Sequence, residues 1–269
     1  MVTAQRHTLL AAHRTKPPPP AGPVLAIDGS NWTEYDYTDE VLSAWKAAGV
    51  GLIIEQAIAP PAGYPPGRTR QHIQACLSFG MPVAAYCFWW ASAGTDYLKR
   101  QLDTLSGLES GLVRLWLDLE DSTLGRLGGD PGRILSHPLP VEHLRRIARQ
   151  PRPHRDQDRL QRLAQSISAI QADIQSWHDV LDTLPAKNRV SGQYSSGWYT
   201  PSYVDLTPWS NRSWWNAAYD GIPDVNVGDR WGGHELPMTI KQFAGSSSLA
   251  GYGSVDLNVV SAQEAALFT

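Results

Sequence analysis

The sequence predicts an α/β barrel of TIM-like type, irregular in its second half, and three observations carry that expectation. From Val24 onward, short apolar strands alternate with helical patterns, which implies parallel strands joined by crossovers. The chain has 269 residues and 42% hydrophobic content, enough for one barrel-sized domain, with two smaller domains as the other arrangement of that length. After residue 190 the texture changes to short strands rich in Gly, Ser, Trp and Tyr without clear helices. A barrel whose last strands lack full helices accounts for both textures. An open doubly wound sheet is the alternative, but no Gly-rich phosphate turn follows the first strand.

The elements follow in order. Residues 1–23, with Pro17 to Pro20 consecutive, read as an N-terminal arm, because a proline run favours extended polyproline structure over a packed element. The barrel domain is assigned to 24–269. Strands are expected at Val24 to Asp28, Gly51 to Gln56, Pro82 to Trp90 and Leu112 to Glu120, and helices at Tyr37 to Ala48, Arg68 to Phe79 and Gly94 to Leu105. Later strands are expected at Val190 to Tyr194, Ser213 to Tyr219, Met238 to Phe243 and Ser254 to Val260. Gly232-Gly233 and Ala244-Gly245-Ser246 read as turns.

Between the halves lies a different segment, 121–187, a helical insertion after the fourth strand. Leu160, Leu163, Ile167, Ile170, Ile174, Trp177, Leu181 and Leu184 recur at alternating spacings of 3 and 4, a heptad seam. The simple reading is a long helix packed on the barrel and on a shorter helix at Val141 to Arg149. The alternative is self-association or virion assembly through the 156–186 helix. The stretch ahead of it is basic, with nine Arg against four acidic residues between Thr123 and Arg162. Such a run is ordinarily a solvated surface, or else attracts an anionic polymer. Its histidines, His137, His143 and His154, lack a metal-binding spacing.

Composition excludes several classes. A net charge of -3 and a pI near 6.2 give no global argument for nucleic-acid or membrane binding. Cys76 and Cys87 fall in a predicted helix and a predicted strand, which points to two buried free thiols and not to a disulfide framework or metal site. No cofactor or metal is expected. The stretch Met1 to Pro20 holds no apolar run long enough for the central region of a signal peptide, and no segment could span a bilayer. If the protein acts outside the cytoplasm, something else is expected to deliver it.

The chemistry concentrates in Leu115-Trp116-Leu117-Asp118-Leu119-Glu120. Period 2 places Asp118 and Glu120 on one face and the leucines on the other. If the leucines face helices, the acids face the barrel interior, where an ionised group is costly unless paired or used. Asp28 and Asp256 are read as carboxyl ends of other strands, the rim where catalytic residues of α/β barrels collect. Eleven tryptophans, and the aromatics Trp32, Tyr86, Tyr194, Trp215 and Tyr219 among others, surround these acids in sequence. Sugar rings stack apolar faces on aromatic side chains, so rim carboxylates with flanking aromatics point to glycoside hydrolysis.

In order and spacing, these pieces resemble the glycoside hydrolase family 25 muramidases, lysozymes found among phage endolysins and bacterial autolysins. Ala26-Ile27-Asp28-Gly29-Ser30 matches the opening Asp-x-Ser segment, Tyr86 the third-strand Tyr, and Asp118-Leu119-Glu120 the Asp-x-Glu signature. Tyr194-Ser195-Ser196, Trp215-Asn216-Ala217-Ala218-Tyr219, Gln242 and Asp256-Leu257-Asn258 resemble the later strands. The resemblance runs from about Val24 to Val260, with 121–187 atypical. It implies an irregular (β/α)5(β)3 barrel and a lysozyme that cleaves the β-1,4 bond between N-acetylmuramic acid and N-acetylglucosamine in bacterial peptidoglycan.

By that resemblance Glu120 is the general acid and Asp118 stabilises the developing positive charge or orients the substrate's N-acetyl group. Asp28 and Asp256 complete an acidic floor, and Tyr86, Tyr194 and Gln242 are polar contacts to substrate. Clustered carboxylates repel one another, which keeps a proton available for an acid step. Cα atoms two residues apart on a strand are about 6.7 Å apart, which fits either a retaining or an inverting separation. The family resemblance implies retention, with the substrate's acetamido group as a candidate nucleophile.

One departure is Glu55, where many relatives carry Lys; it is expected to add an acid near the site. Two other classes remain open. One is a virion structural or wall-binding protein on the same barrel. The other is a chitinase-like glycosidase, whose strand ordinarily carries further acids upstream of Asp-x-Glu, where this chain has Arg114 and Trp116.

Overall fold

A computed structural model describes residues 22–30, 35–57, 67–89, 94–119, 154–196, 207–226 and 238–268, with the side chains of 154–167 outside it. Eight strands close into one barrel in sequence order: β1 (Val24–Gly29), β2 (Val50–Gln56), β3 (Val83–Phe88), β4 (Leu115–Asp118), β5 (Gly192–Ser196), β6 (Trp214–Ala217), β7 (Met238–Leu249) and β8 (Tyr252–Val260). Pairing is parallel from β1 through β7. β8 runs antiparallel to both β7 and β1 and closes the ring.

Helices α1 (Asp39–Ala47), α2 (Gly67–Phe79), α3 (Gly94–Asp103) and α4 (His154–Leu181) follow the first four strands. The start of α1 is set locally. Thr38 accepts from the Val41 N–H and Asp39 and Glu40 sit in the first turn, so the helix begins two residues after the predicted Tyr37. After β5 the only described helical piece before β6 is a single turn, Thr207–Trp209. The irregular second half expected from composition is therefore present. A short helix α5 (Ala262–Ala265), capped by Ser261, follows β8.

The long heptad-patterned helix is the crossover from β4 to β5. Its Ile170, Ile174, Trp177 and Leu181 are buried in the layer between barrel and helices, so this half of the seam packs on the barrel. The proposed arm up to residue 21, the helix at 141–149 and the first half of the seam's side chains lie outside the described residues.

Side-chain alternation sorts the strands into two layers. Trp116 belongs with Leu52, Ile54, Tyr86 and Trp215 in the barrel interior. Leu115, Leu117 and Leu119 pack with Ile73, Leu98 and Trp177 beneath the helices, as the alternation in the sequence requires. The interior is closed at its base by Arg114, whose guanidinium bonds the Glu264 carboxylate of α5 (2.6 and 3.1 Å) and the Val190 carbonyl. Ser213 also donates to Glu264, at 3.0 Å.

One turn differs from expectation. Ala244-Gly245-Ser246 does not end β7; the strand continues to Leu249 through register shifts, and the reversal falls at Ala250-Gly251, where both residues have positive φ (53° and 88°). Two consecutive left-handed residues match the twist of a two-residue hairpin loop.

Candidate active site

Asp118 ends β4 on the interior face, 2% exposed, opposite Phe88 of β3 and Tyr194 of β5 in register. Its backbone carbonyl accepts from the Trp89 N–H at 2.9 Å, which continues the β3–β4 pairing to the rim. The expected placement of Asp118, inward at the end of an otherwise apolar strand, is what the structure has. Glu120 and Trp32 lie outside the described residues.

Asp28 and Asp256 are direct partners across the β1–β8 seam. Asp256 is not at a carboxyl end. It lies within β8, and because β8 runs antiparallel its early residues reach the rim where the other strands finish. The correction keeps Asp256 in the site for a different topological reason.

A single amide ties the two acids. Gln242 Nε2 donates to Asp28 Oδ2 (3.2 Å) and to Asp256 Oδ2 (2.8 Å). Gln242 Oε1 accepts from the hydroxyls of Tyr194 (2.8 Å) and Tyr219 (3.1 Å). Tyr194 and Gln242 are buried, whereas Tyr219 is 62% exposed and offers a ring face to solvent beside the acids. Asp256 also accepts from the Ser246 backbone N–H at 2.7 Å. Burial raises the Asp256 carboxyl above its ordinary value despite that bond. Ser246 has φ 48°, and this left-handed backbone turns its N–H onto the carboxylate.

Trp215 is 1% exposed and stands beneath the acids, ringed by Tyr194 (4.4 Å between centroids), Tyr86 and Trp116 (both 5.9 Å). Its expected role as a sugar-stacking surface is corrected, since no face of the indole is open. Tyr86 is 8% exposed, on the interior face of β3.

Glu55 is the clearest correction. Ile53 packs beneath the helices, and Glu55 shares its face, outside the barrel interior. There it is 1% exposed, accepting from Tyr37 Oη at 2.9 Å and lying 2.8 Å from His72 Nδ1. It adds no charge to the acid group at the rim.

Asn258 belongs to the Asp256-Leu257-Asn258 match in the sequence, but no site role was expected of it. Its Nδ2 donates to Asp28 Oδ2 at 2.7 Å and its Oδ1 accepts from Trp215 Nε1 at 2.8 Å. The signal was present, because Asn258 is two residues from Asp256 on the same face of β8. Among the described residues no group of three His, Cys, Asp or Glu could hold a metal ion, and no helix is long and apolar enough to cross a membrane.

No protein-family model and no curated protein sequence matches this chain. Solved structures do resemble it. The catalytic domain of an endolysin from bacteriophage P40 of Listeria monocytogenes aligns at TM-score 0.54 and 15% identity, over 91% of this chain and 98% of that one. A family 25 glycosyl hydrolase from Bacillus anthracis aligns at TM-score 0.53 and 12% identity, over 88% of each chain. The modular autolysin LytC from Streptococcus pneumoniae aligns at TM-score 0.53 and 15% identity, over 88% of this chain and 46% of that one. With identities this low the likeness is one of fold, and by fold this chain is similar to a phage endolysin catalytic domain, a family 25 glycosyl hydrolase and an autolysin.

Proposed function

We propose that this chain is a peptidoglycan hydrolase, an N-acetylmuramidase that cleaves the β-1,4 bond between N-acetylmuramic acid and N-acetylglucosamine. The observation that carries the reading is the rim itself. Asp118 faces inward at the end of β4, and Asp28 and Asp256 share the Gln242 amide on the same interior face. That arrangement stands on a fold similar to an endolysin catalytic domain and a family 25 glycosyl hydrolase.

Glu120, two residues beyond Asp118, is the proposed general acid that protonates the glycosidic oxygen. Asp118 supports the developing charge or orients the acetamido group. Asp256, its carboxyl raised by burial, and Asp28, held by two amides, form the floor. Tyr219 supplies the exposed aromatic face that a sugar ring can stack on. The chitinase-like alternative loses support because the interior positions upstream of Asp118 hold Trp116, packed in the interior, and Arg114, bonded to Glu264.

The test is digestion of purified bacterial cell walls by wild type and Glu120→Gln, followed by borohydride reduction and identification of the new ends. Muramitol ends that disappear in the variant are the expected result. Chitin oligomer cleavage without wall cleavage, or wall binding with no new reducing ends, would overturn it.

A further inference from the structure

The indole N–H of Trp215 can only donate, so the Asn258 side-chain atom 2.8 Å from it must be the amide oxygen. That single fact settles the amide's orientation, which coordinates alone leave ambiguous between O and N. The NH2 group then faces Asp28 Oδ2 at 2.7 Å, with a longer contact of 3.3 Å to the Asp256 carbonyl. Asn258 is 0% exposed and Trp215 is 1% exposed, so neither amide nor indole exchanges its partner for water. The Gln242 amide turns its oxygen to the Tyr194 and Tyr219 hydroxyls and its NH2 to the two carboxylates.

We propose that Trp215 and Asn258 are a positioning pair: the indole fixes the amide so that its NH2 points at Asp28 and keeps that residue an ionised acceptor beside the reacting centre. Asp28 Oδ2 accepts from two amides, Gln242 and the fixed Asn258, and a proton on that oxygen would lie against N–H groups. Asp256 is held differently. It takes one amide and one backbone N–H, it is only part buried, and burial acts against its charge. Trp215 thus acts on Asp28 through Asn258 and not through sugar contact. The consequence for cleavage rests on the proposed function, while the orientation of the amide does not.

The test is a 13C-carboxyl NMR titration of aspartate-labelled protein, with wall cleavage followed over the same pH range. In Trp215→Phe, which keeps a ring in the stack and removes the donor, the amide is free to turn, and the Asp28 midpoint is expected to rise by about one pH unit or more. Asn258→Ala gives the same direction without touching the indole and serves if the Phe variant does not fold. The acidic limb of cleavage should move with the midpoint. An unchanged Asp28 midpoint in whichever variant folds would overturn the proposal. If the midpoint moves but wild type cleaves no walls, the muramidase reading falls and the positioning pair stands.

Discussion

Trp116 lies flat against the bare backbone of Gly192: a Cβ at Gly192 would stand 2.2 Å from ring Cε3 and 2.3 Å from Cζ3. The two residues are register partners on β4 and β5, so neither strand can slide to relieve the contact. The indole cannot yield either, because Trp215 packs against it at 5.9 Å and the Arg114 guanidinium sits 5.6 Å from its centre. Gly192→Ala is therefore expected to lower stability by roughly 1–3 kcal/mol, the usual cost of overpacking a core, read as a lower urea midpoint. A wild-type midpoint would show that the interior has slack at this layer.

The base of the same strand makes a second prediction. Arg114 and Glu264 are both almost fully buried, and the pair ties β4 to α5, which lies 150 residues further on. Removing one partner leaves a buried charge without compensation, expected to cost about 3–5 kcal/mol. Arg114→Met and Glu264→Gln should each destabilise, and the double variant should lose clearly less than the sum. Strict additivity in the double-mutant cycle would mean the two groups are not coupled.

Much of this architecture is local and was therefore legible. Strand-helix alternation is a short-range pattern, and the apolar 115, 117 and 119 positions set the phase of β4, which put Asp118 inward. Glu55 was not legible for the same physical reason in reverse. Leu52, Ile53 and Ile54 are all buried, since a parallel strand in a barrel is covered on both faces, so the run carries no phase. The Trp214-Trp215 pair likewise tells that one ring faces each way but not which. Nor does composition distinguish a bulge from a turn at Gly245-Ser246, where the register of β8 decides. Asn258 found its roles only through closure of the barrel, which brings it to Trp215, 43 residues away, and to Asp28, 230 away.

Because Glu55 sits beneath the helices, its loss should separate stability from activity. Glu55→Gln keeps the shape and an acceptor for one of Tyr37 and His72 but loses the ionised acceptor, and is expected to cost about 1–3 kcal/mol. Wall cleavage per folded molecule should stay within about twofold of wild type, as the Glu55 partners Tyr37 and His72 lie outside the barrel interior. A large fall in turnover with an unchanged melting midpoint would put Glu55 back in the site.

The end of α4 carries a pH dependence of known sign. His178 is 0% exposed, with Nδ1 2.8 Å from Ser191 Oγ and Nε2 2.9 Å from Gln193 Oε1. Gln193 Nε2 donates to the Leu117 and Tyr194 carbonyls, which leaves its oxygen for His178 and places the imidazole proton on Nε2. Burial lowers the imidazole from 6.5 to about 4, aided by the Arg212 guanidinium and opposed by the Gln193 bond and by Asp182 and Asp179. Between those two values the unfolded chain binds a proton that the native state refuses. His178 thus contributes stability fully present above about pH 6.5 and lost as pH falls towards 4, on the order of 3 kcal/mol across the window. Urea unfolding at pH 7 and at pH 4.5 measures it: His178→Gln should start less stable at pH 7 and lose distinctly less than wild type on acidification. Parallel losses in both proteins would assign the acid sensitivity to other groups.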